Sequence, residues 1–99
     1  MTNGYYWIEY DDGEEGWSTY KSLIKAREDA RDSIRLHHTG DYAYIWFRPI
    51  SGRSKKVGIV EYLPGCKAWS TDGKTYYRLY EDGRIGGKVK VDAWYSTQF

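Results

Sequence analysis

Between Leu23 and His38 the apolar residues recur at intervals of three and four, the spacing that places side chains on one face of an α-helix. Ser22 precedes this run and is a residue type that caps helix N-termini, while Gly40 after it is typical of a helix end. The sequence therefore predicts one helix over Leu23 to His38. The residues predicted to face a sheet are Leu23, Ala26, Ala30, Ile34 and His37.

The pattern changes to alternation between Tyr42 and Arg48, which is typical of a β-strand with two different faces. Pro49 has no backbone N–H to donate to a sheet, so the strand is expected to end there or to lie at an edge. One predicted face carries Ala43, Ile45 and Phe47, and the other carries Tyr42, Tyr44 and Trp46.

Six further segments combine strand-forming residues with Gly-containing turns between them. They are Tyr5 to Tyr10, Gly16 to Tyr20, Lys55 to Leu63, Cys66 to Ser70, Thr75 to Tyr80 and Lys88 to Trp94. With the helix after the second strand, the predicted order is β-β-α-β-β followed by additional short β hairpins. We therefore predict a single α+β domain over residues 1–99, with one helix packed on a mostly antiparallel sheet.

Aromatic residues are the most unusual part of the composition. The 99 residues include 5 Trp, 11 Tyr and 2 Phe, which together outnumber Ile, Leu and Val. One helix cannot cover so many rings, so some are expected to remain on the sheet face opposite the helix. Because Tyr and Trp are enriched at binding hot spots, this surplus favours a protein that binds a partner.

Charge is distributed unevenly, although the net charge is only +1. Residues 1–20 contain acidic residues and no Lys or Arg, whereas residues 42–80 are predominantly basic. Cys66 is the only cysteine, which excludes an intramolecular disulfide and a cysteine-based zinc site. The chain carries no recognisable signal peptide and no apolar stretch of the roughly 20 residues that a membrane helix needs. These features predict a cytoplasmic protein that does not enter a membrane.

No combination of residues predicts catalysis, a cofactor or a metal site. Cys66 would need a nearby base such as His37 to act as a nucleophile, whereas a free cysteine is ordinarily a packing residue. The segment Gly83 to Lys88 resembles a phosphate-binding loop, but it is too short, and Val89 stands where Ser or Thr is needed. The acidic segment Asp11 to Glu15 lacks the ligand spacing of a calcium loop. We therefore expect a protein that is not an enzyme.

Basic and aromatic residues are interleaved in and after the alternating strand, and they are the candidate contact residues. They are Tyr44, Trp46, Arg48, Arg53, Lys55, Lys56, Tyr76 and Arg78. Such a surface suits a protein partner. It also suits a nucleic acid, through phosphate contacts and base stacking. A separate stripe along the helix, Arg27, Arg31 and Arg35, either covers sheet aromatics with its aliphatic stems or binds acidic protein or phosphate.

The first half of the chain carries one further likeness. Its strand–turn–strand start, the segment W-S-T-Y-K-S-L at Trp17 to Leu23 and the Ala-, Arg- and Asp-rich helix resemble, in general style, small accessory proteins of phages and mobile elements. The resemblance implies an accessory or inhibitory role on a larger partner. The predicted function is accordingly a small non-catalytic protein-interaction module. The alternative is a nucleic-acid-binding domain that uses the basic and aromatic hairpin.

Overall fold

The computed structural model describes residues 3–11, 13–16, 18–34, 41–63 and 65–90. Within them it contains one helix and six strands. These are β1 (Gly4–Tyr10), α1 (Leu23–Ser33), β2 (Tyr42–Pro49), β3 (Lys55–Leu63), β4 (Cys66–Ser70), β5 (Tyr76–Leu79) and β6 (Ile85–Val89). No helix in these ranges is long and apolar enough to cross a membrane.

The six strands form one sheet in the order β1-β2-β3-β4-β5-β6, and each strand is antiparallel to its neighbours. The helix follows β1 in the chain and packs against β1, β2 and β3. The predicted α+β class and the antiparallel sheet are therefore confirmed. The predicted strand order is wrong, because only one strand precedes the helix.

The predicted strand Gly16 to Tyr20 is not a strand. Glu9 lies opposite Glu15 and Tyr6 lies opposite Tyr20, each as an isolated bridge. Between the two bridges, the separation along the chain is three residues in β1 but five residues in the returning segment. A regular antiparallel ladder needs equal separations, so it cannot form here. The segment instead contacts β1 at separate points, one of which is the bond from Gly16 N to Ile8 O at 2.7 Å.

The helix begins as predicted, with the Ser22 side chain accepting a hydrogen bond from Lys25 N at 3.2 Å. It ends at Ser33, before the predicted end at His38, because Ile34 adopts an extended conformation (φ −67°, ψ 142°). Lys67 on β4 donates from Nζ to Arg31 O at 2.5 Å, which satisfies a carbonyl that a longer helix would have bonded itself. Residues 35–40, including His37, His38 and Gly40, lie outside the described residues.

The core lies between the helix and one face of the sheet. Ala26, Ala30 and Ile34 are fully buried, as their spacing predicted. The small side chains of the two alanines let the helix lie close to the strands. The sheet side of this core consists of Ile8, Ala43, Ile45, Val60, Trp69 and Leu79. Ala43, Ile45 and Phe47 are all buried, which confirms the predicted alternation in β2.

The later strands agree with the sequence to different degrees. β3 and β4 have the predicted bounds, whereas β5 is one residue shorter at each end. The predicted last strand, Lys88 to Trp94, is wrong at its start, because β6 begins at Ile85. The register shifts between Tyr77 and Leu79, so that β6 has one more residue than β5 between the paired positions. This irregularity accommodates Gly86 and Gly87 within the strand. Residues 91–94 of the predicted strand lie outside the described residues.

Candidate functional site

Two tryptophans from distant parts of the chain meet on the sheet face opposite the helix. Trp7 on β1 lies opposite Trp46 on β2 in the strand register. Their rings stack with centroids 5.3 Å apart and planes 9° apart. Trp46 Nε1 donates to Glu9 Oε1 at 3.1 Å, and Trp7 Nε1 lies 3.4 Å from Ser54 Oγ. These bonds hold both indoles in one orientation, which is how a preorganised contact surface is built.

A lysine from β3 extends this arrangement. Lys56 lies opposite Trp46 in the register, next to the irregularity between Ile45 and Trp46. Its Nζ is 3.7 Å from the centroid of the Tyr44 ring and 5.5 Å from that of Trp46. The ammonium therefore makes cation–π contacts with both rings and keeps a positive charge on this face of the sheet.

Arg48 and Tyr5 continue the surface toward the end of the two strands. They lie opposite each other in the register, Arg48 is exposed, and Tyr5 is 38% exposed. A cleft of about 210 Å³ opens beside them. It is lined by Tyr5, Trp7, Glu15, Gly16, Thr19, Arg48 and Ser54. We call the surface formed by Tyr5, Trp7, Trp46 and Arg48 the tryptophan patch.

The rest of this sheet face is less open than the composition suggested. Ile59, Leu63, Ala68 and Tyr76 form a second buried cluster there. Tyr42, Tyr44 and Val89 pack against it. Three of the rings that the helix does not cover therefore belong to this second cluster, Tyr76 within it and Tyr42 and Tyr44 packed against it. Among the described residues, exposed Tyr5 and half-buried Trp7 and Trp46 form the aromatic surface at the β1–β2 end, while Tyr77 and Tyr80 are exposed near the β5–β6 end of the sheet.

This burial corrects the predicted role of Tyr76. Its side chain is 0% exposed, and its hydroxyl donates to Glu61 Oε1 at 2.8 Å, a carboxylate that is itself 2% exposed. A partner cannot touch a ring in this position, so Tyr76 does not belong to a surface site. Its polar end instead satisfies a buried acid, as a buried tyrosine requires.

The other predicted contact residues are at the surface but do not form one site. Arg53, Lys55 and Arg78 are all exposed. Lys55 lies opposite Phe47, whose ring faces the helix side, so it projects away from the tryptophan patch. Arg78 on β5 is three strands from β2, or roughly 14 Å at ordinary strand spacing. The structure thus brings together Tyr44, Trp46, Arg48 and Lys56 from the predicted set.

Sequence reasoning missed Trp7, Tyr5, Glu9 and Ser54. The alternation in β1 already places Tyr5, Trp7 and Glu9 on one face, so the local signal existed. The local pattern does not identify the strand that pairs with β1. That strand is β2, and the helix and its connecting segments separate the two strands in the sequence.

Burial changes the ionisation of the tyrosines beside the patch. Desolvation raises the pKa of Tyr42, and the nearby negative charge of Asp11 adds to the effect. Desolvation likewise raises the pKa of Tyr44, with Tyr42 as the next contributor. Both hydroxyls are therefore neutral hydrogen-bonding groups at physiological pH, and Arg48 and Lys56 supply positive charge on this face.

The predicted arginine stripe covers a sheet aromatic at Arg27, as one of the two expectations had it, and it also has a structural role. Arg27 lies over the Trp69 ring, with Cζ 5.3 Å from the centroid, but its head is not in water. Its Nε donates to Gly83 O at 2.9 Å, and Arg31 Nε donates to Leu79 O at the same distance. Burial lowers the pKa of Arg27. The two guanidinium groups attach the helix to the end of β5 and to the β5–β6 turn. Arg35 lies outside the described residues.

Of the features considered for catalysis, the structure describes Cys66 and the loop-like segment Gly83 to Lys88. Cys66 is a half-buried free thiol opposite Leu63, and His37 lies outside the described residues. Among the described residues no group of three or more His, Cys, Asp or Glu is placed to hold a metal ion. The segment resembling a phosphate loop is a turn that leads into strand β6 and not into a helix.

A larger cleft, about 700 Å³, lies at the β5–β6 turn, on the far side of the sheet from β1. Its lining is Arg31, Tyr80, Glu81, Asp82, Arg84 and Ile85. The charges there compensate one another, since Arg84 Nε lies 3.5 Å from Asp82 Oδ2 and Arg31 Nη1 3.8 Å from Asp32 Oδ1. This cleft therefore offers no concentrated charge to a ligand.

The chain matches no protein-family model, and comparison with curated proteins and with solved structures finds no significant similarity.

Proposed function

We propose that this chain is a small non-catalytic protein-interaction module that binds its partner through the tryptophan patch. The observation that carries the proposal is the stacked Trp7–Trp46 pair beside exposed Arg48 and Tyr5. Trp, Tyr and Arg are the residue types that supply most of the binding energy in protein interfaces. Ring orientations held by hydrogen bonds reduce the entropy lost on binding.

The cleft beside the patch is suited to a partner that inserts one protruding side chain. Its walls combine the Trp7 and Tyr5 rings with the charges of Arg48 and Glu15, so it offers both apolar contact and hydrogen bonds. A volume of about 210 Å³ suits one inserted side chain and is below the usual size of small-molecule sites, which begin at roughly 300 Å³. In biological terms, the proposed role is that of a cytoplasmic accessory or inhibitory protein that acts on a larger partner.

The experiment is affinity capture from the source cell with the wild-type chain, followed by titration of the captured partner against variants. We expect Arg48→Glu and Tyr5→Ser each to weaken binding about tenfold or more, because both remove exposed side chains of the patch that line the cleft. Lys74→Glu is the matched control, since it makes the same charge change at an exposed position in the β4–β5 turn. A partner that binds both patch variants as tightly as the wild type would overturn the proposal.

A nucleic-acid ligand is the second candidate, and the exposure of Arg48, Arg53 and Lys55 around the β2–β3 turn favours it. Against it, Lys56 already occupies a face of the Tyr44 ring, and Trp7 and Trp46 stack on each other. Base stacking needs free ring faces. A nuclease-treated aliquot of the same capture separates the candidates. A nucleic-acid complex would disappear with nuclease and would weaken steeply between about 50 and 200 mM salt.

A further inference from the structure

The two edge strands of the described sheet differ in whether another segment bonds to their outward backbone groups. At the β1 edge, the returning segment covers the strand with backbone hydrogen bonds. These bonds run from Tyr6 N to Tyr20 O, from Gly16 N to Ile8 O and from Tyr10 N to Glu14 O. At the other edge, β6 is the last strand in the order, and no strand lies beyond it within residues 65–90 or the other described ranges. Within the described part of the chain, β6 is therefore the outer strand whose outward row of backbone groups can accept a further strand.

The side chains of β6 leave that edge accessible. Gly86 and Gly87 have no side chains of their own; the Tyr80 ring lies against Gly86, whereas a Cβ added at Gly87 would meet no atom within 4 Å. Lys88 is exposed, and so is Lys90 directly after the strand. An approaching chain can thus reach the backbone of β6 from Gly87 onward without displacing a bulky side chain.

The two faces of β6 differ in chemistry. Lys88 lies opposite Tyr77, on the side of the sheet that carries the helix. Val89 lies opposite Tyr76 and packs against the second buried cluster on the other side. Because side chains alternate along a strand, a neighbouring strand would meet positive charge on one face and apolar surface on the other. The complementary sequence alternates acidic and β-branched apolar residues.

We propose that β6 binds an extended acidic segment of a protein partner by β-strand addition, with acidic side chains toward Lys88 and Lys90 and apolar side chains beside Val89. This mode takes its affinity from main-chain hydrogen bonds and its selectivity from alternate side chains. The site is separate from the tryptophan patch, since β6 lies four strands from β2, roughly 19 Å at ordinary spacing.

A second copy of the chain is a poorer occupant. A symmetric antiparallel pairing of two β6 strands centred on Val89 would place Lys88 of one copy beside Lys90 of the other. Like charges on neighbouring strands destabilise pairing. The positive charges at this edge therefore select against self-association, which is a known use of lysine at sheet edges.

The test uses three capped synthetic peptides of equal length, titrated into the ¹⁵N-labelled protein and followed by NMR. The first alternates Glu and Val, the second alternates Lys and Val, and the third is the Glu–Val peptide with alternate backbone nitrogens methylated. We expect the Glu–Val peptide to bind and to shift the amide signals of Gly86, Gly87 and Lys88. We expect the methylated peptide to bind at least about tenfold more weakly, the effect of losing a few backbone hydrogen bonds.

A charge-reversal pair supplies the matched control. Lys88→Glu combined with Lys90→Glu should abolish binding of the Glu–Val peptide and create binding of the Lys–Val peptide. Arg53→Glu combined with Lys55→Glu changes the net charge equally at the β2–β3 turn and should leave Glu–Val binding unchanged. The proposal is overturned if the Glu–Val peptide does not bind, if methylation has no effect, or if the signal changes fall on the tryptophan patch. Concentration-dependent shifts at β6 without peptide would instead identify a second copy as the occupant and overturn it as well.

Discussion

At the scale of single residues, Gly83 shows how one position can be constrained from two directions. Its φ of +87° lies in the region that favours glycine, and a Cβ there would stand 2.2 Å from the Ile24 carbonyl oxygen. Its own carbonyl accepts the hydrogen bond from the buried Arg27 side chain. The contact between the β5–β6 turn and the helix therefore requires a residue without a side chain at this position.

Gly83→Ala is expected to destabilise the fold far more than Gly13→Ala. Gly13 has the same φ of +87°, but a Cβ there meets nothing within 4 Å, so it carries only the cost of the left-handed backbone. That cost is about 1 kcal/mol, and the steric clash at Gly83 should add roughly 2 kcal/mol. Urea unfolding of both variants measures the difference. Equal losses would mean that the turn moves away from the helix without cost.

At the scale of elements, the helix end is determined by a different strand. Lys67 on β4 donates to Arg31 O and lies 3.5 Å from Ile34 O, so its ammonium sits at the C-terminal end of α1. A cation there interacts favourably with the helix dipole. Burial lowers the pKa of Lys67, and the nearby charge of Arg31 lowers it further. The position of β4 thus stabilises the end of the helix at Ser33.

Lys67→Met is expected to cost about 1 kcal/mol of unfolding free energy, because it removes the charged donor and keeps the apolar stem. The loss should be local as well as global, with faster hydrogen exchange at the amide of Ile34, whose N–H bonds Ala30 O at 3.1 Å. Lys21→Met, at an exposed position before the helix, is the control. Unchanged exchange at Ile34 in the Lys67 variant would contradict this role.

At the scale of the whole molecule, the aromatic residues that the structure describes are divided between two buried clusters and the surface. The helix-side core takes Trp69, with Tyr6, Tyr10 and Tyr20 packed against it, and the opposite cluster takes Tyr76. Trp7 and Trp46 form the surface pair. Desolvation raises the pKa of Tyr20, Tyr42 and Tyr44, which couples the ionisation of these three hydroxyls to the stability of the fold.

Alkaline pH is expected to unfold the protein progressively above about pH 10. Desolvation raises the pKa of Tyr20, and the Asp29 carboxylate that accepts its hydrogen bond raises it further. Tyr42 and Tyr44 are shifted in the same direction. Because the folded state binds these protons more tightly, the stability is fully present below the unfolded value of 10.0 and is lost as pH rises through the folded values.

Chemical unfolding between pH 8 and 11 measures this loss, and Tyr20→Phe isolates one contribution. The variant lacks the ionisable hydroxyl, so its stability should fall less steeply with pH than that of the wild type. Its stability at neutral pH should be lower, because the hydrogen bond to Asp29 is gone. Parallel pH profiles for the two proteins would show that Tyr20 has no part in the alkaline transition.

The sequence by itself determined the features that depend on neighbouring residues. The start of the helix at Ser22, the alternation of β2 and the bounds of β3 and β4 follow from side-chain period and turn residues, and all of them are found. From the candidate site, the same local pattern identified Tyr44, Trp46 and Arg48. These signals survive folding because the chain's geometry repeats every two or 3.6 residues whatever packs against it.

Only the tertiary structure decided which strand lies beside which and what each face touches. The pairing of β1 with β2 creates the Trp7–Trp46 stack, the two extra residues in the returning segment prevent a second strand, and Lys67 stabilises the early helix end. Tyr76 has the pattern of a surface residue but is buried over Glu61. Register and burial depend on contacts between residues far apart in the chain, and local periodicity does not encode them.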